Sequence, residues 1–252
     1  MKLLDIAKCA RPVLFENDDR EFPYSVGGTA FIVKFSGRAF VITARHVLNL
    51  KSFEPRQFCI QYRPDCRDFL PLRALYLVRG ADAADTDQYD IAVREVDSDA
   101  LKYELYGEYD PYNLLAMDRL TIYSERGAYI YRGYPSDLRE VDFERGKIEQ
   151  GAVTSRAEYV GRTPYESIRE LRLLDLNPLT SIDGLSGSPV FQVHNEAESK
   201  YSREAFAGML IRGSIESSKV FLVEHSRIIQ VLTDIVAGRV LETPPPPEVS
   251  GT

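Results

Sequence analysis

The chain has 252 residues, and its 38 acidic side chains outnumber its 31 basic ones, giving a formal net charge of −7 at pH 7. Nucleic acids and anionic membranes are bound by clustered Lys and Arg, so this balance argues against both as partners. Three cysteines, an odd number, argue against a disulfide framework and favour a reducing compartment, although Cys59 and Cys66 have the option of pairing. Three histidines without CxxC or HExxH spacing predict no metal site.

Neither terminus has the pattern of a membrane or export segment. Asp5, Lys8 and Arg11 interrupt the N-terminal apolar residues, and no run approaches the roughly 18 apolar residues of a transmembrane helix. We therefore expect a soluble, cytoplasmic protein. From Pro244 onward the sequence PPPPEVSGT predicts a disordered, Pro-rich tail over 244–252.

Between the termini, apolar residues alternate in period two or form short runs, and glycine and proline punctuate them as in a β protein. The predicted strands of the first half are GTAFIVKF, RAFVITA, FCIQYR, LRALYLV and YDIAVREV. Those of the second half are AYIYRGYP, FERGKIEQGAVTS, IRELRLLDL, GSPVFQV, FAGMLIRG and KVFLVE. About a dozen short strands, divided by a polar, tyrosine-rich segment, predict an all-β fold of two successive six-stranded antiparallel β-barrels.

Both predicted barrels belong to one domain over residues 1–243. The first barrel covers about 20–100, a linker about 101–120, and the second barrel with a C-terminal helix about 121–238. The helix is SRIIQVLTDIVAG, in which Ser226 caps the N-terminus, apolar residues share one face and Gly238 ends the last turn. This layout leaves a cleft between the barrels.

In the segment GLSGSPVF, residues 184–191, Ser186 lies between Gly184 and Gly187, and Pro189 prevents a helix from following. Such a segment is ordinarily a tight turn. It also fits a nucleophile on a loop whose backbone N–H groups face a developing negative charge. A serine hydroxyl needs a base to take its proton, and the base needs a third group to orient it, so partners must exist elsewhere in the chain.

Two residues at strand ends are candidates for these partners. His46 follows the apolar strand FVITA, and Asp90 opens the apolar run IAV, where a partly buried carboxylate needs a hydrogen-bond donor. Each alone is also an ordinary strand-end residue. Together with Ser186 they occur in the order His, Asp, Ser, in the contexts that fit a triad.

Other arrangements around Ser186 fit less well. GLSGS nearly matches the G-x-S-x-G elbow of α/β-hydrolases, but that elbow leads into a helix, and Pro189 blocks one here. His194 and His225 follow Ser186 and are conceivable alternative bases. His194 lies in a polar loop and His225 joins a strand to the last helix, which favours surface or structural roles for both.

At these motifs the sequence resembles the trypsin-like (chymotrypsin-fold) serine peptidases, and among them bacterial intracellular trypsin-like peptidase domain proteins. TARHVL resembles their histidine motif, YDIAV their aspartate motif and GLSGSP their G-x-S-G-G-P motif. The resemblance runs from about Val26 to Ile235 and is weak outside the three motifs. It implies a serine endopeptidase that acts on protein or peptide substrates and needs no cofactor.

The resemblance also implies roles for individual residues. Ser186 would be the nucleophile, His46 the general base and acid, and Asp90 the residue that orients the imidazole. The backbone N–H groups of Gly184 and Ser186 would form the oxyanion hole. The remaining implied residues are substrate-binding: Thr180 and Ser181 near the base of the primary specificity pocket, and Ile211, Arg212 and Gly213 along the strand that pairs with the substrate backbone.

Specificity follows from the pocket residues in this interpretation. Thr180 and Ser181 are uncharged, so we expect small or medium side chains rather than Arg or Lys at the scissile position. Arg212 either favours acidic residues nearby or is simply a solvated arginine.

The sequence departs from the family pattern at two positions of the loop. Leu185 stands where digestive and clotting members carry the aspartate that receives a newly cleaved N-terminal amine, and Ser188 replaces the second glycine after the nucleophile. We therefore hypothesise that an activating protein or ligand forms the oxyanion loop. The alternative function is a catalytically silent trypsin-like domain that binds a peptide or protein.

Overall fold

The structure, a computed structural model, describes residues 6–48, 54–63, 66–78, 87–101, 109–114, 127–142, 147–175, 179–194 and 203–240. The predicted tail over 244–252 and much of the predicted linker lie outside these ranges. Within them the chain forms fifteen β-strands and one α-helix. None of the described helices is long and apolar enough to cross a membrane.

The first half of the chain forms one sheet. Its strands are β1 (Ala10–Glu16), β2 (Tyr24–Phe35), β3 (Arg38–Thr43), β4 (Phe58–Cys59), β5 (Leu72–Leu77), β6 (Ala92–Val96) and β7 (Tyr112–Asn113). They are ordered β4-β1-β2-β3-β6-β5, and β7 pairs with β2 in parallel. The centre of β2 is buried on both sides, as its continuous apolar run requires.

The second half contains the remaining strands. They are β8 (Ala128–Gly133), β9 (Arg139–Asp142), β10 (Lys147–Gln150), β11 (Val153–Arg162), β12 (Ile168–Leu173), β13 (Pro189–His194), β14 (Arg203–Ser214) and β15 (Lys219–Glu224). Six of them close into a barrel in the order β11-β12-β15-β14-β13-β8, while β9 and β10 form a separate hairpin. The two-part all-β fold predicted from the sequence is confirmed.

The sequence predicts a closed six-stranded barrel in the first half of the chain. In the described residues, however, the sheet of this half stays open. The chain beyond β4 folds back on itself: the Leu70 N–H donates to the Ile60 carbonyl at 2.7 Å. The guanidinium of Arg11, which is 1% exposed, donates to the Tyr62 carbonyl at 2.7 Å. Backbone groups that would extend β4 toward closure are therefore already bonded.

Aromatic side chains from both halves pack together in a shared hydrophobic cluster, which is separate from the cluster inside the second barrel. The rings of Phe31 and Phe206 lie 5.4 Å apart between centroids, and Tyr112 of β7 packs on Phe191 at 5.1 Å. The C-terminal helix α1 (His225–Val236) buries five aliphatic side chains: Ile228, Ile229, Val231, Leu232 and Ile235. Burial of this shared core fixes the two halves relative to each other.

Two local predictions were wrong in detail. The helix begins at His225 rather than after Ser226, because β15 runs directly into it and Glu224 occupies the N-cap position. Gly238, with φ of +69°, follows the helix end as predicted. The predicted strand over 143–155 is divided: β10 pairs with β9, and β11 starts only at Val153. The N–H of Gly151 donates to the Leu138 carbonyl at 2.8 Å, which turns the chain between them.

All three cysteines are free thiols. The pairing of Cys59 with Cys66 that the sequence left open is therefore not formed. Burial raises the pKa of Cys9 to about 12 and that of Cys59 to about 11, so both remain protonated at neutral pH.

Candidate active site

His46 and Asp90 meet at one edge of the first sheet. β3 ends at Thr43, and a 3₁₀ turn over Arg45–Leu48 then presents His46. Asp90 lies between the 3₁₀ turn Asp87–Tyr89 and β6. Because Thr43 pairs with Ala92 in the ladder between β3 and β6, the ends of these strands lie side by side.

The contact between the two residues has two hydrogen bonds. His46 Nδ1 lies 2.6 Å from Asp90 Oδ2, and the His46 backbone N–H donates to Asp90 Oδ1 at 2.9 Å. An ionised carboxylate can only accept, so the Nδ1 atom carries the proton in this contact. The other ring nitrogen, Nε2, is then the one able to accept a proton.

The carboxylate also changes the titration of the imidazole. The hydrogen bond to Asp90 raises the pKa of His46 above its usual value near 6.5, and the charges of Asp90 and Asp87 act in the same direction. Partial burial of the ring opposes this shift. The side chain of His46 is 52% exposed to solvent.

Ser186 comes from the second barrel, on the loop before β13. Its backbone carbonyl accepts from the Thr29 N–H at 3.1 Å, which ties the loop to β2 of the first sheet. Its hydroxyl donates to the Ile211 carbonyl at 2.9 Å. The ladder between β14 and β15 shifts register between Leu210 and Arg212, and this bulge frees the Ile211 carbonyl from the ladder. Within the described residues, no hydrogen bond joins the Ser186 hydroxyl to His46.

The backbone N–H groups of the loop over 183–188 divide into two sets. Four donate to acceptors inside the protein: those of Asp183, Leu185, Gly187 and Ser188. Across the described part of the chain, the N–H groups of Gly184 and Ser186 have no acceptor. These are the two groups that the sequence assigned to an oxyanion hole.

The carbonyls of the loop account for the direction of those free N–H groups. Asp183 C=O accepts from the Ser136 N–H at 2.8 Å, and Leu185 C=O accepts from the Ser188 N–H at 3.0 Å. In a trans peptide the carbonyl and the following N–H point in opposite directions. The N–H groups of Gly184 and Ser186 therefore point away from Ser136 and Ser188.

Both glycines of the loop are required by its geometry. Gly184 has φ of +86°, and a Cβ there would lie 2.5 Å from the Tyr134 carbonyl oxygen. Gly187 has φ of +90°, and a Cβ there would lie 1.8 Å from the Thr29 carbonyl oxygen. Any side chain at either position would strain the backbone and displace the loop.

Leu185 is 2% exposed and packs in the apolar interior of the second barrel. An aliphatic side chain offers no acceptor for a terminal amine, so the loop has no ionic anchor at this position. The neighbouring hydroxyl of Ser188 is fully buried and has no hydrogen-bond partner among the described residues.

The residues expected at the base of the specificity pocket are bonded to an acidic side chain that the sequence analysis missed. Thr180 is exposed, and its N–H donates to Asp137 Oδ2 at 2.6 Å. The Ser181 N–H donates to the same oxygen at 2.7 Å. These hydrogen bonds lower the pKa of Asp137. The role of Thr180 and Ser181 in specificity stays a prediction.

Arg212 is neither free nor simply solvated. Its Nε donates to Asp87 Oδ2 at 2.8 Å, and its guanidinium lies 4.2 Å from the centroid of the Phe221 ring. The ion pair between Arg212 and Asp87 joins β14 of the second barrel to the 3₁₀ turn that precedes Asp90. Asp87, which sequence analysis did not single out, therefore acts on both Arg212 and His46. Ile211 and Gly213, which flank Arg212, lie in the same strand.

Of the two alternative bases, only His225 has a described side chain, and it does not engage the serine. His225 is the first residue of α1 and is 3% exposed. His194 ends β13, and its side chain lies outside the described part of the structure. In the described residues, Ser186 has no hydrogen bond to His225.

Comparison with known proteins identifies the fold. No protein-family model and no curated protein matches the sequence. Among solved structures, the scabies mite inactivated protease paralogue S-D1 aligns with a TM-score of 0.61 and 17% identity, over 94% of this chain and 97% of that chain. The chain has the chymotrypsin-like fold. The tobacco vein mottling virus protease aligns at a TM-score of 0.49 and 12% identity, over 89% of this chain and 80% of that chain. Within this chymotrypsin-like fold, His46 and Asp90 come from the first sheet and Ser186 from the second barrel.

Proposed function

We propose that the protein is a serine endopeptidase whose triad is His46, Asp90 and Ser186. The observation that carries this proposal is the two-bond contact of Asp90 with His46, 2.6 and 2.9 Å long. A carboxylate that holds both the ring and the backbone of a histidine orients the base, which is what a triad requires. A solvent-exposed imidazole has no structural need for such a partner.

Each residue has a defined step in the proposed reaction. The Ser186 hydroxyl rotates from Ile211 toward His46, and its Oγ attacks the scissile carbonyl while Nε2 takes the proton. The N–H groups of Gly184 and Ser186 stabilise the negative oxygen of the tetrahedral intermediate. His46 then protonates the leaving amine, and the chain is left acylated at Ser186. Water, activated by His46, hydrolyses the ester and regenerates the hydroxyl.

The substrate in this proposal is an extended peptide. It pairs with the strand over 211–213, beside the nucleophile, in the manner of an added β-strand. The same proposal includes three further expectations. They are a preference for small or medium uncharged side chains at the scissile position, a cytoplasmic location, and a relation to bacterial intracellular trypsin-like peptidases. The chemistry uses only side chains and backbone groups of the chain, so no cofactor enters it.

Cleavage of an unstructured protein tests the proposal. The purified chain should cleave casein, Ser186→Ala should abolish cleavage, and the matched surface variant Ser217→Ala should cleave at the wild-type rate. Cleavage that persists unchanged in Ser186→Ala would exclude Ser186 as the nucleophile.

A second candidate function is a catalytically silent domain that binds peptides. The hydrogen bond from the Ser186 hydroxyl to Ile211 favours it, since the hydroxyl is directed away from the base. The similar scabies mite protein is also described as inactivated. In that case the wild-type chain and Ser186→Ala would bind a peptide library with equal affinity, and neither would cleave it.

A further inference from the structure

Thr29 of β2 contacts the nucleophile loop on both sides of Leu185. Its N–H donates to the Ser186 carbonyl at 3.1 Å, and its hydroxyl donates to the Gly184 carbonyl at 2.7 Å. The same hydroxyl accepts from the Tyr134 N–H at 2.9 Å. The side chain is fully buried, so water does not compete for these bonds.

The position of Thr29 is itself fixed. Its carbonyl accepts from the Thr43 hydroxyl at 2.7 Å, and that carbonyl occupies the space where Gly187 lacks a side chain. Thr29 therefore sits rigidly in β2, with the loop built against it. A hydroxyl held in this way directs the Gly184 carbonyl toward the first sheet.

Among the described residues, the loop over 183–188 has no ion pair that would make these bonds redundant. Leu185 is buried and apolar. In the described part of the chain the loop is held by backbone hydrogen bonds, by the Ser181 hydroxyl, which accepts from the Asp183 N–H, and by the Thr29 hydroxyl, which donates to the Gly184 carbonyl. Without the Thr29 hydroxyl, the Gly184 carbonyl and the Tyr134 N–H would both be left buried without this partner. The loop would gain freedom to rotate at the peptide that follows Gly184.

We propose that Thr29 is a positioning residue, whose hydroxyl holds the Gly184 and Ser186 N–H groups in the geometry that receives the oxyanion. This inference rests on the proposed peptidase function and assigns the anchoring of the loop to an internal hydrogen bond. In contrast to the activating protein or ligand hypothesised from the sequence, the loop is then formed in the chain alone, and activity needs neither N-terminal cleavage nor an added activator.

Two variants and one control separate this role from general stability. Thr29→Val keeps the shape of the side chain without the hydroxyl, and Thr29→Ser keeps the hydroxyl. Ser155→Ala is the control, because it removes another buried hydroxyl, one that donates to the Asp175 carbonyl at 3.0 Å in the second barrel. Removing an oxyanion donor outright costs about 10²–10³-fold in rate, so its displacement in Thr29→Val should lower kcat about 10- to 100-fold with little change in KM. Thr29→Ser and Ser155→Ala should react near the wild-type rate.

Amide hydrogen exchange supplies a readout that does not depend on activity. The bonded N–H groups of Leu185, Gly187 and Ser188 should exchange faster in Thr29→Val than in Thr29→Ser or Ser155→Ala. If the wild type reacts with a fluorophosphonate and Thr29→Val reacts equally fast, the inference fails while the proposed function stands. If the wild type does not react at all, both the proposed function and the catalytic positioning by Thr29 are wrong. If, in addition, amide exchange is unchanged in Thr29→Val, Thr29 does not anchor the loop either.

Discussion

The carboxylate of Asp90 accepts two hydrogen bonds from His46, one from ring Nδ1 at 2.6 Å and one from the backbone N–H at 2.9 Å. The two residues are 44 positions apart, and the ladder between β3 and β6 brings them together. This contact fixes both the position and the tautomer of the imidazole.

Asp90→Asn should leave the fold intact and remove most of the activity. An amide NH₂ beside Nδ1 stabilises the tautomer with its proton on Nε2, which can no longer accept from Ser186. We expect kcat to fall by about 10⁴-fold, the effect of the same change in the serine peptidase triad. Circular dichroism would check the fold, and the pKa of His46, followed by NMR, should fall. A variant with wild-type kcat would contradict the role of Asp90.

The activity of the wild type should rise with pH around neutrality. Asp90 raises the pKa of His46 above 6.5, and only the neutral imidazole acts as a base. The midpoint of the alkaline rise in kcat/KM should therefore lie above 6.5. For stability the sign is opposite: the contact favours protonated His46 in the fold, so its contribution is complete below pH 6.5 and is lost as the pH rises through the raised pKa. A midpoint below 6.5 would show that burial outweighs the carboxylate.

Asp87→Ala should create a preference for acidic substrate side chains that the wild type lacks. Asp87 neutralises Arg212 through a hydrogen bond of 2.8 Å, so the arginine has no free charge for an acidic substrate side chain. With Asp87 removed, kcat/KM for peptides with Asp or Glu near the scissile bond should rise relative to their Asn or Gln counterparts. The comparison within one variant at one pH cancels any change in the pKa of His46. An unchanged ratio would show that Arg212 does not face the substrate.

Ser188→Ala should not destabilise the fold. The Ser188 hydroxyl is fully buried and has no partner among the described residues, so removing it also removes a desolvation cost. We expect the free energy of unfolding in urea to be equal to the wild type or to rise by about 1 kcal/mol. Ser155→Ala, which breaks a buried hydrogen bond, should instead lose about 1 kcal/mol. Equal losses in both variants would reveal a partner for Ser188.

The three motifs of the sequence predict the residues of the site because each lies at a strand end that is readable from a local apolar pattern. Alone, each of TARHVL, YDIAV and GLSGSP is also an ordinary strand end or turn, and it is their order along the chain that indicates a triad. The two-barrel layout and most strands of the closed barrel follow instead from the number of short strands and their period-two apolar pattern.

The contacts that shape the site could not be predicted from the sequence because they join residues far apart in the chain. Thr29 and Gly184 are separated by 155 positions, and Asp87 and Arg212 by 125. Neither Thr29 nor Asp87 differs locally from an ordinary strand threonine or turn aspartate. Strand β1 was missed for a related reason. An arginine such as Arg11 normally indicates an exposed segment, but here the guanidinium is buried and donates hydrogen bonds to carbonyls distant in the chain, including that of Tyr62.

Mass spectrometry of the protein after reaction with a fluorophosphonate tests whether Ser186 is the nucleophile. We expect a single adduct on Ser186 in the chain alone, formed at a much lower rate in His46→Ala and not at all in Ser186→Ala. An adduct on another residue, or no adduct on Ser186 in the correctly folded wild type, would contradict this role of Ser186.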